Sequence, residues 1–277
     1  LLDGPHDFHA CLGRPAASMN PDPQPIVPTP SFDVWNASLG SAAVAIGTRG
    51  FPDALAAVLK LLAPFQMMNG FLYSRDGHAF DLYNEKIVAE RSVIVDRYLA
   101  GAFVLDPFYD AVRSDDSERM IVMRDIAPDD FQQTEYYRLH YATTRIVDEI
   151  GFVMRLEAGF IGVLSLSRTG TAPLFSQDDL QRLRAAAPVI CAFGERHWFH
   201  VPGLSLNIEN APPARIEHPL LTRRELEIVT LILKGHSNLS LAAVLSLSPN
   251  TVKVHRRQIY SKLTISSQAE LFRLFMA

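Results

Sequence analysis

With 277 residues, 48% of them apolar and 20% charged, the chain has a globular composition and the length of one large domain or two ordinary ones. No apolar run approaches the roughly 18 residues of a membrane span, and the longest, Ala185 to Phe193, is interrupted by Pro188. The net charge of −4 conceals an asymmetry: eight Lys or Arg against four Glu give residues 217–277 a charge of +4, which leaves −8 for residues 1–216, so only the tail suits a polyanion.

Seven of the 18 prolines fall within the first 30 residues, which reads as a disordered arm. The chain begins with Leu, Met19 offers an alternative start, and Pro and Asp stand where a signal peptide would be basic and then apolar. Residues 1–30 are therefore given no functional role. Cys11 and Cys191 have no metal or redox spacing, which argues against a disulfide scaffold and points to the cytoplasm.

From Ser31 to about His200, helical and strand patterns alternate. Trp35 to Ile46 and Pro52 to Leu62 read as helices. Asn69–Ser74 and His78–Tyr83 read as a hairpin around Arg75-Asp76-Gly77. A long helix is expected over Glu90 to Val112, with a break at Asp106-Pro107. Arg119–Met123 reads as a short strand and Asp129–Glu149 as helical. Phe152–Glu157 and Phe160–Ser167 make a second hairpin around Gly159, and Ser176 caps a helix through Trp198. Hairpins between helices predict an α+β domain over residues 31–200, an antiparallel sheet flanked by helices. Pro202, Pro212 and Pro213 mark a linker over 201–216.

The segment 217–277 predicts a small all-α domain of four helices. Thr222 and Glu225 form a capping box, Leu226, Val229, Ile232 and Leu233 follow at helical spacing, and Gly235 ends the helix. A short helix covers Asn238 to Leu245. Ser248 and Pro249 open a third, basic helix. Two short helices, a tight turn and a basic helix describe a helix-turn-helix. At 100° per residue, Val252, His255, Ile259 and Leu263 share the core-facing stripe. The opposite face carries Asn250, Val254, Arg257 and Ser261, with Lys253 and Gln258 beside them: cations and amides for base edges, and an apolar contact for a thymine methyl. Arg256 and Lys262 lie on the flanks, where a helix in a groove meets phosphates.

The stretch LTRRELEIVTLILKGHSNLSLAAVLSLSPNTVKVHRRQIYSKL resembles the LuxR-type (GerE-like) helix-turn-helix of bacterial transcription regulators. Matching residues run through the whole unit, among them Thr222, Glu225, Gly235, Asn238, Leu245, Thr251, Val252, Lys253, Ile259 and Lys262. The resemblance implies base contacts from Lys253, Val254 and Arg257 and phosphate contacts from Asn238, Thr251 and Lys262. Two departures stand out: Leu239-Ser240-Leu241 replaces a charged pair and Ile, and Thr264 replaces a usual Gly. The last helix, Ser267–Ala277, matches a dimer contact of the family, for which Leu271, Phe272 and Phe275 are the candidates.

The family's upstream partners include phosphorylated receivers and small-molecule sensors. A receiver begins with a strand and uses parallel strands; this chain begins with helices. The stretch RYLAGAFVLDPFY is faintly similar to acyl-homoserine-lactone-binding domains, but only two tryptophans, Trp35 and Trp198, are present. A GAF- or PAS-like sensory domain is expected, with Tyr98, Phe103, Asp106, Phe108 and Tyr109 as ligand-binding candidates. The same aromatics also suit a plain core, and Asp106 before Pro107 also suits a helix cap. No nucleophile elbow, Walker loop, dinucleotide fingerprint or paired-Cys metal site occurs, so no catalytic residue, metal or cofactor is assigned. His197 and His200 flank Trp198-Phe199 and read as packing. The expected partners are double-stranded DNA, a small-molecule effector, a second copy of the chain and RNA polymerase, with no membrane. A ligand-free dimerisation or protein-interaction module remains the alternative for residues 31–200.

Overall fold

A computed structural model of the chain describes residues 31–84, 95–113, 118–199 and 216–276. The expected disordered arm (1–30), nearly all of the expected linker (201–216), His200 and the start of the expected Glu90–Val112 helix lie outside the described residues.

Two helices, α1 (Phe32–Ala45) and α2 (Phe51–Leu62), lead into a hairpin of β1 (Met67–Tyr73) and β2 (Ala79–Asn84). Within the helix expected up to Val112, the expected break at Asp106-Pro107 is present and another precedes it, leaving three short pieces: α3 (Arg97–Leu99), a 3-10 turn (Ala102–Leu105) and α4 (Pro107–Ala111). Gly101 at φ 140° makes the first break, and Asp106, held extended before Pro107, makes the second. Strand β3 (Met120–Val122) and α5 (Met123–Ile126) follow.

The region expected to be helical from Asp129 to Glu149 is also divided. A 3-10 turn (Phe131–Gln133), α6 (Glu135–Tyr137) and a π-turn (Arg138–Ala142) precede Arg145, whose φ of 57° swings the chain into β4 (Ile146–Arg155). The strand thus begins at Ile146 rather than Phe152, and Glu149 belongs to the sheet. Strand β5 (Ile161–Thr169) and helix α7 (Gln177–His197) complete this domain. His197 is a packing residue: its Nδ1 accepts from Gly47 N at 3.0 Å and its ring stacks on Phe51.

All pairings in the sheet are antiparallel, in the order β2-β1-β5-β4-β3. Period-two alternation sends Met68, Ile150, Phe152, Leu164 and Leu166 to one face, where α2 and α7 cover them. The opposite face carries Tyr73, Val153 and Val163, joined by the polar Asn69, Glu149, Ser165 and Ser167. The short helices from 95–112 and 131–142 lie over that face. An α+β domain with an antiparallel sheet between helical layers is the result, as expected.

The tail folds as α8 (Arg223–Lys234), α9 (Asn238–Leu245), α10 (Pro249–Leu263) and α11 (Gln268–Met276) around Ile228, Val229, Ile232, Leu241, Val252, Ile259 and Leu271. Each boundary has a chemical cause. Thr222 and Glu225 close both arms of the capping box, while Ser237 and Ser248 cap α9 and α10. Ser246 and Thr264 end these helices at φ 55°. For a β-branched residue such as Thr264 this left-handed geometry is costly, which explains why glycine suits the position.

Among the described residues, the two domains share one apolar cluster and are joined by polar contacts at its edge. Asp130 N–H donates to Gly235 O at 2.8 Å, Ser237 N–H donates to Asp129 Oδ1 at 2.9 Å, and Lys234 pairs with Asp110. Gly235, at φ 96°, lies so close to the 129–134 segment that an added Cβ would stand 2.7 Å from Phe131 Cα.

Candidate nucleic-acid interface and buried cavity

The charge pattern of the tail becomes a surface once α10 is folded. Val252 and Ile259 are fully buried and fix the helix's rotation. That leaves Asn250, Thr251, Lys253, Val254, Arg257 and Gln258 exposed on the side away from the core. Thr251 Oγ1 and Ser248 Oγ are 2.8 Å apart at the start of the helix. Domain contact occurs at α8 and the α8–α9 corner, so the α10 face stays open to solvent.

The flanking cations are held, and sequence reasoning did not foresee by what. Arg256 Nη1 donates to Asn238 Oδ1 at 2.9 Å, tying two of the expected DNA-facing residues together across α9 and α10. Lys262 Nζ reaches both carboxylate oxygens of Glu225 at 2.7 and 2.8 Å. That ammonium, with the Thr222 backbone amide, keeps the Glu225 carboxyl below its usual range. One glutamate thus caps α8 and orients a cation of α10.

The fourth helix is divided in role. Leu271 is 0% and Phe272 8% exposed, both spent on the domain's own core, which corrects the expectation that they face a partner. Phe275 is half-buried beside His218, and Leu274 is exposed. These two, with the half-buried Met276, present apolar surface outward.

Between the polar face of the sheet and the helices over it lies a cavity of about 50 Å³. Three of the five ligand candidates line it: Tyr98, Asp106 and Phe108. Phe103 and Tyr109 do not. They pack edge-to-face with each other and against the ring of Tyr73, behind the cavity wall, and Tyr109 OH accepts from Arg113. Asp106 fulfils both roles that the sequence left open. Its Oδ1 accepts from Phe108 N at 2.8 Å as the cap of α4, and its Oδ2 accepts from Tyr98 OH at 2.8 Å. Tyr98 OH is in turn hydrogen-bonded to Tyr73 OH.

Opposite stands a group that sequence reasoning missed, Glu149 of β4. Tyr141 OH donates to it at 2.6 Å and Ser167 Oγ at 3.1 Å. Asn69, Tyr136 and His140 complete the polar wall. Burial, only partly offset by hydroxyl hydrogen bonds, raises Asp106 to about 6 and Glu149 to about 7, and lowers His140 to about 4. The alternation of β4 and the aromatic run 131–141 were the available signals. They were obscured because the strand's start was read as helix.

The cavity is joined to the second domain by a short chain of contacts. Tyr141, bonded to Glu149, packs edge-on to Phe131 with centroids 5.4 Å apart, and Phe131 backs onto Gly235. Among the described residues there is no cluster of three His, Cys, Asp or Glu side chains placed to hold a metal, and no helix long and apolar enough to cross a membrane.

Residues 219–275 match the family described as bacterial regulatory proteins, luxR family. An HTH-type transcriptional regulator encoded in the exeN 3′ region of Aeromonas salmonicida is 30% identical over 154 residues, 51% of this chain and 79% of that protein. The monoamine regulon transcriptional regulator of Klebsiella aerogenes is 28% identical over 137 residues, 49% of this chain and 53% of that one. Among solved structures, the VqsR LBD domain from Pseudomonas aeruginosa aligns with a TM-score of 0.53 and 26% identity, covering 61% of this chain and 99% of its own.

Proposed function

Because the chain belongs to the luxR family of bacterial regulatory proteins, a family of transcription regulators with a DNA-binding helix-turn-helix, we propose that it senses a small molecule in the buried cavity and passes that signal to α10. The observation that carries this reading is the continuous contact chain from Glu149 through Tyr141 and Phe131 to Gly235. An effector that displaces Tyr141 from Glu149 would move the segment on which α8 rests.

In this reading Lys253, Val254 and Arg257 read bases, with Asn250 beside them, and Asn238, Thr251, Arg256 and Lys262 meet phosphates. The regulator works as a homodimer in the cytoplasm, on an operator whose half-sites repeat about one DNA turn apart, and in concert with RNA polymerase. Leu274 and Phe275 are the apolar surface that α11 offers a second copy. No catalytic role is assigned. An effector shifts the equilibrium only by its differential affinity for the two arrangements.

Tyr141→Phe tests the coupling. It keeps the ring on Phe131 and removes the hydroxyl from Glu149, so operator affinity should change while the fold and base preference stay. Unchanged affinity, with and without effector, would remove Tyr141 from the path.

A further inference from the structure

The cavity holds more acid than a hydrogen-bonding pocket requires. Asp106 and Glu149 both line it, each 7% exposed, and the donors that meet them among the described residues are neutral: Tyr98 and Tyr136 hydroxyls and Phe108 N for Asp106, and the hydroxyls of Tyr141, Ser165 and Ser167 for Glu149. Among the described lining residues there is no lysine or arginine. A buried carboxylate without a cation is costly, and two in one cavity more so.

An independent observation points the same way. Asn69, 4% exposed and lining the same cavity, leaves its Oδ1 without a hydrogen-bond partner. The site therefore displays three acceptors, and its remaining polar side-chain groups are hydroxyls, the Asn69 amide nitrogen and the His140 ring. An ammonium group brings three N–H donors and no acceptor. The rings of Tyr98 and Tyr136, which line the same space and flank His140 at 6.0 and 4.7 Å between centroids, add π-faces that attract a cation.

We propose that the effector is a small organic cation, whose ammonium group is bound by Asp106, Glu149 and Asn69 against the tyrosine rings. The proposal rests on the reading that this cavity is the effector site. An effector presenting acceptors, such as an acyl carbonyl or a carboxylate, would face carboxylate oxygens and gain little. The cavity's small volume suits a short amine or the ammonium end of a longer one whose entry parts the covering helices.

The probe is n-propylammonium chloride on the full chain, compared with 1-propanol and with sodium chloride at equal ionic strength. The amine should raise the melting temperature and the two controls should not. Glu149→Gln and Asp106→Asn, which keep shape and remove charge, should each weaken amine binding about tenfold or more. Calorimetry between pH 6 and 7, in buffers of different ionisation heat, should show proton release on binding. Burial lifts Asp106 and Glu149 into that range, whereas His140 is already neutral there; the charged groups that bear on this set are Asp110, beside Asp106, and Arg97, beside His140. If 1-propanol matches the amine, or Glu149→Gln binds the amine as well as the native chain, the cation proposal falls while the cavity stands as a binding site. If neither compound shifts the melt, the proposal and the effector-site reading fall together.

Discussion

Gly235→Ala separates the strength of the domain contact from the stability of the helix-turn-helix itself. Gly235 ends α8 at φ 96°, a conformation that a residue with a Cβ adopts at a cost of about 1–2 kcal/mol whether or not the domains touch. The second cost exists only in the docked state. The new methyl would lie 2.7 Å from Phe131 Cα, 2.8 Å from Phe131 N and 2.8 Å from Thr134 Cγ2, about 1 Å inside the optimum contact distance. Two of these atoms are backbone and cannot rotate away, so the penalty should be that of an overpacked core, about 1–3 kcal/mol. Separation of the domains relieves it, and the docking equilibrium should move about 5- to 150-fold toward the open form. Hydrogen exchange reads this directly, because Asp130 N–H donates to Gly235 O. Its protection should fall by that factor, while the amides inside α10 should lose only the local cost. Gly235→Asn should open the contact equally and destabilise the tail less, since Asn tolerates the left-handed region. Equal loss of protection at Asp130 and within α10 in Gly235→Ala would refute the reasoning.

Three further outcomes follow from the geometry. Arg257→Ala should cost about 1–3 kcal/mol of operator binding and relax base preference, read by titration against matched and scrambled duplexes at several salt concentrations; a variant that still discriminates would put base reading elsewhere. Leu274→Asp should give a folded monomer with poor operator affinity, whereas Phe272→Asp, which charges a core position, should unfold the tail; sedimentation and circular dichroism distinguish them. Stability should decline as pH rises from about 5 to 7, because folded Asp106 (about 6) and Glu149 (about 7) retain protons that the unfolded chain has already released. His140, lowered to about 4, acts in the opposite sense, stabilising as pH rises toward its ordinary value, so Glu149→Gln should flatten or reverse the decline in a series of thermal melts.

The helix-turn-helix was legible because its signals are local. Thr222, Ser248, Pro249 and Gly235 act within one turn of their own position, and a face of α10 is a matter of angle alone. Even there, the Arg256–Asn238 bond and the Lys262–Glu225 pair join different helices, and helical periodicity says nothing of them. The cavity was legible only in part. Asp106 announced itself by standing before Pro107, but of the aromatics around it Tyr98 and Phe108 line the space, while Phe103 before the cap and Tyr109 after it pack on one another. Glu149 was hidden by composition: residues 129–149 suit a helix, and the left-handed Arg145 that ends it carries no glycine to mark the change. Leu271 and Phe272 show the converse, since a bulky apolar residue on a short terminal helix looks the same in sequence whether it covers its own core or a partner's.

The bond from Ser237 N–H to Asp129 bears on how an operator would be received. The amino end of a helix is an anion site, with unsatisfied N–H groups and the positive end of the peptide dipoles directed outward. At the amino end of α9 that place is held by a carboxylate from the other domain, beside Asn238, a residue expected to meet phosphate. A phosphate of a duplex brought to Asn238 would compete with this acid for one donor, which would make nucleic acid a ligand of the domain contact as well. Linkage would then run both ways: whatever loosened Asp129 would raise affinity for DNA, and DNA would raise affinity for whatever loosened Asp129 by the same factor.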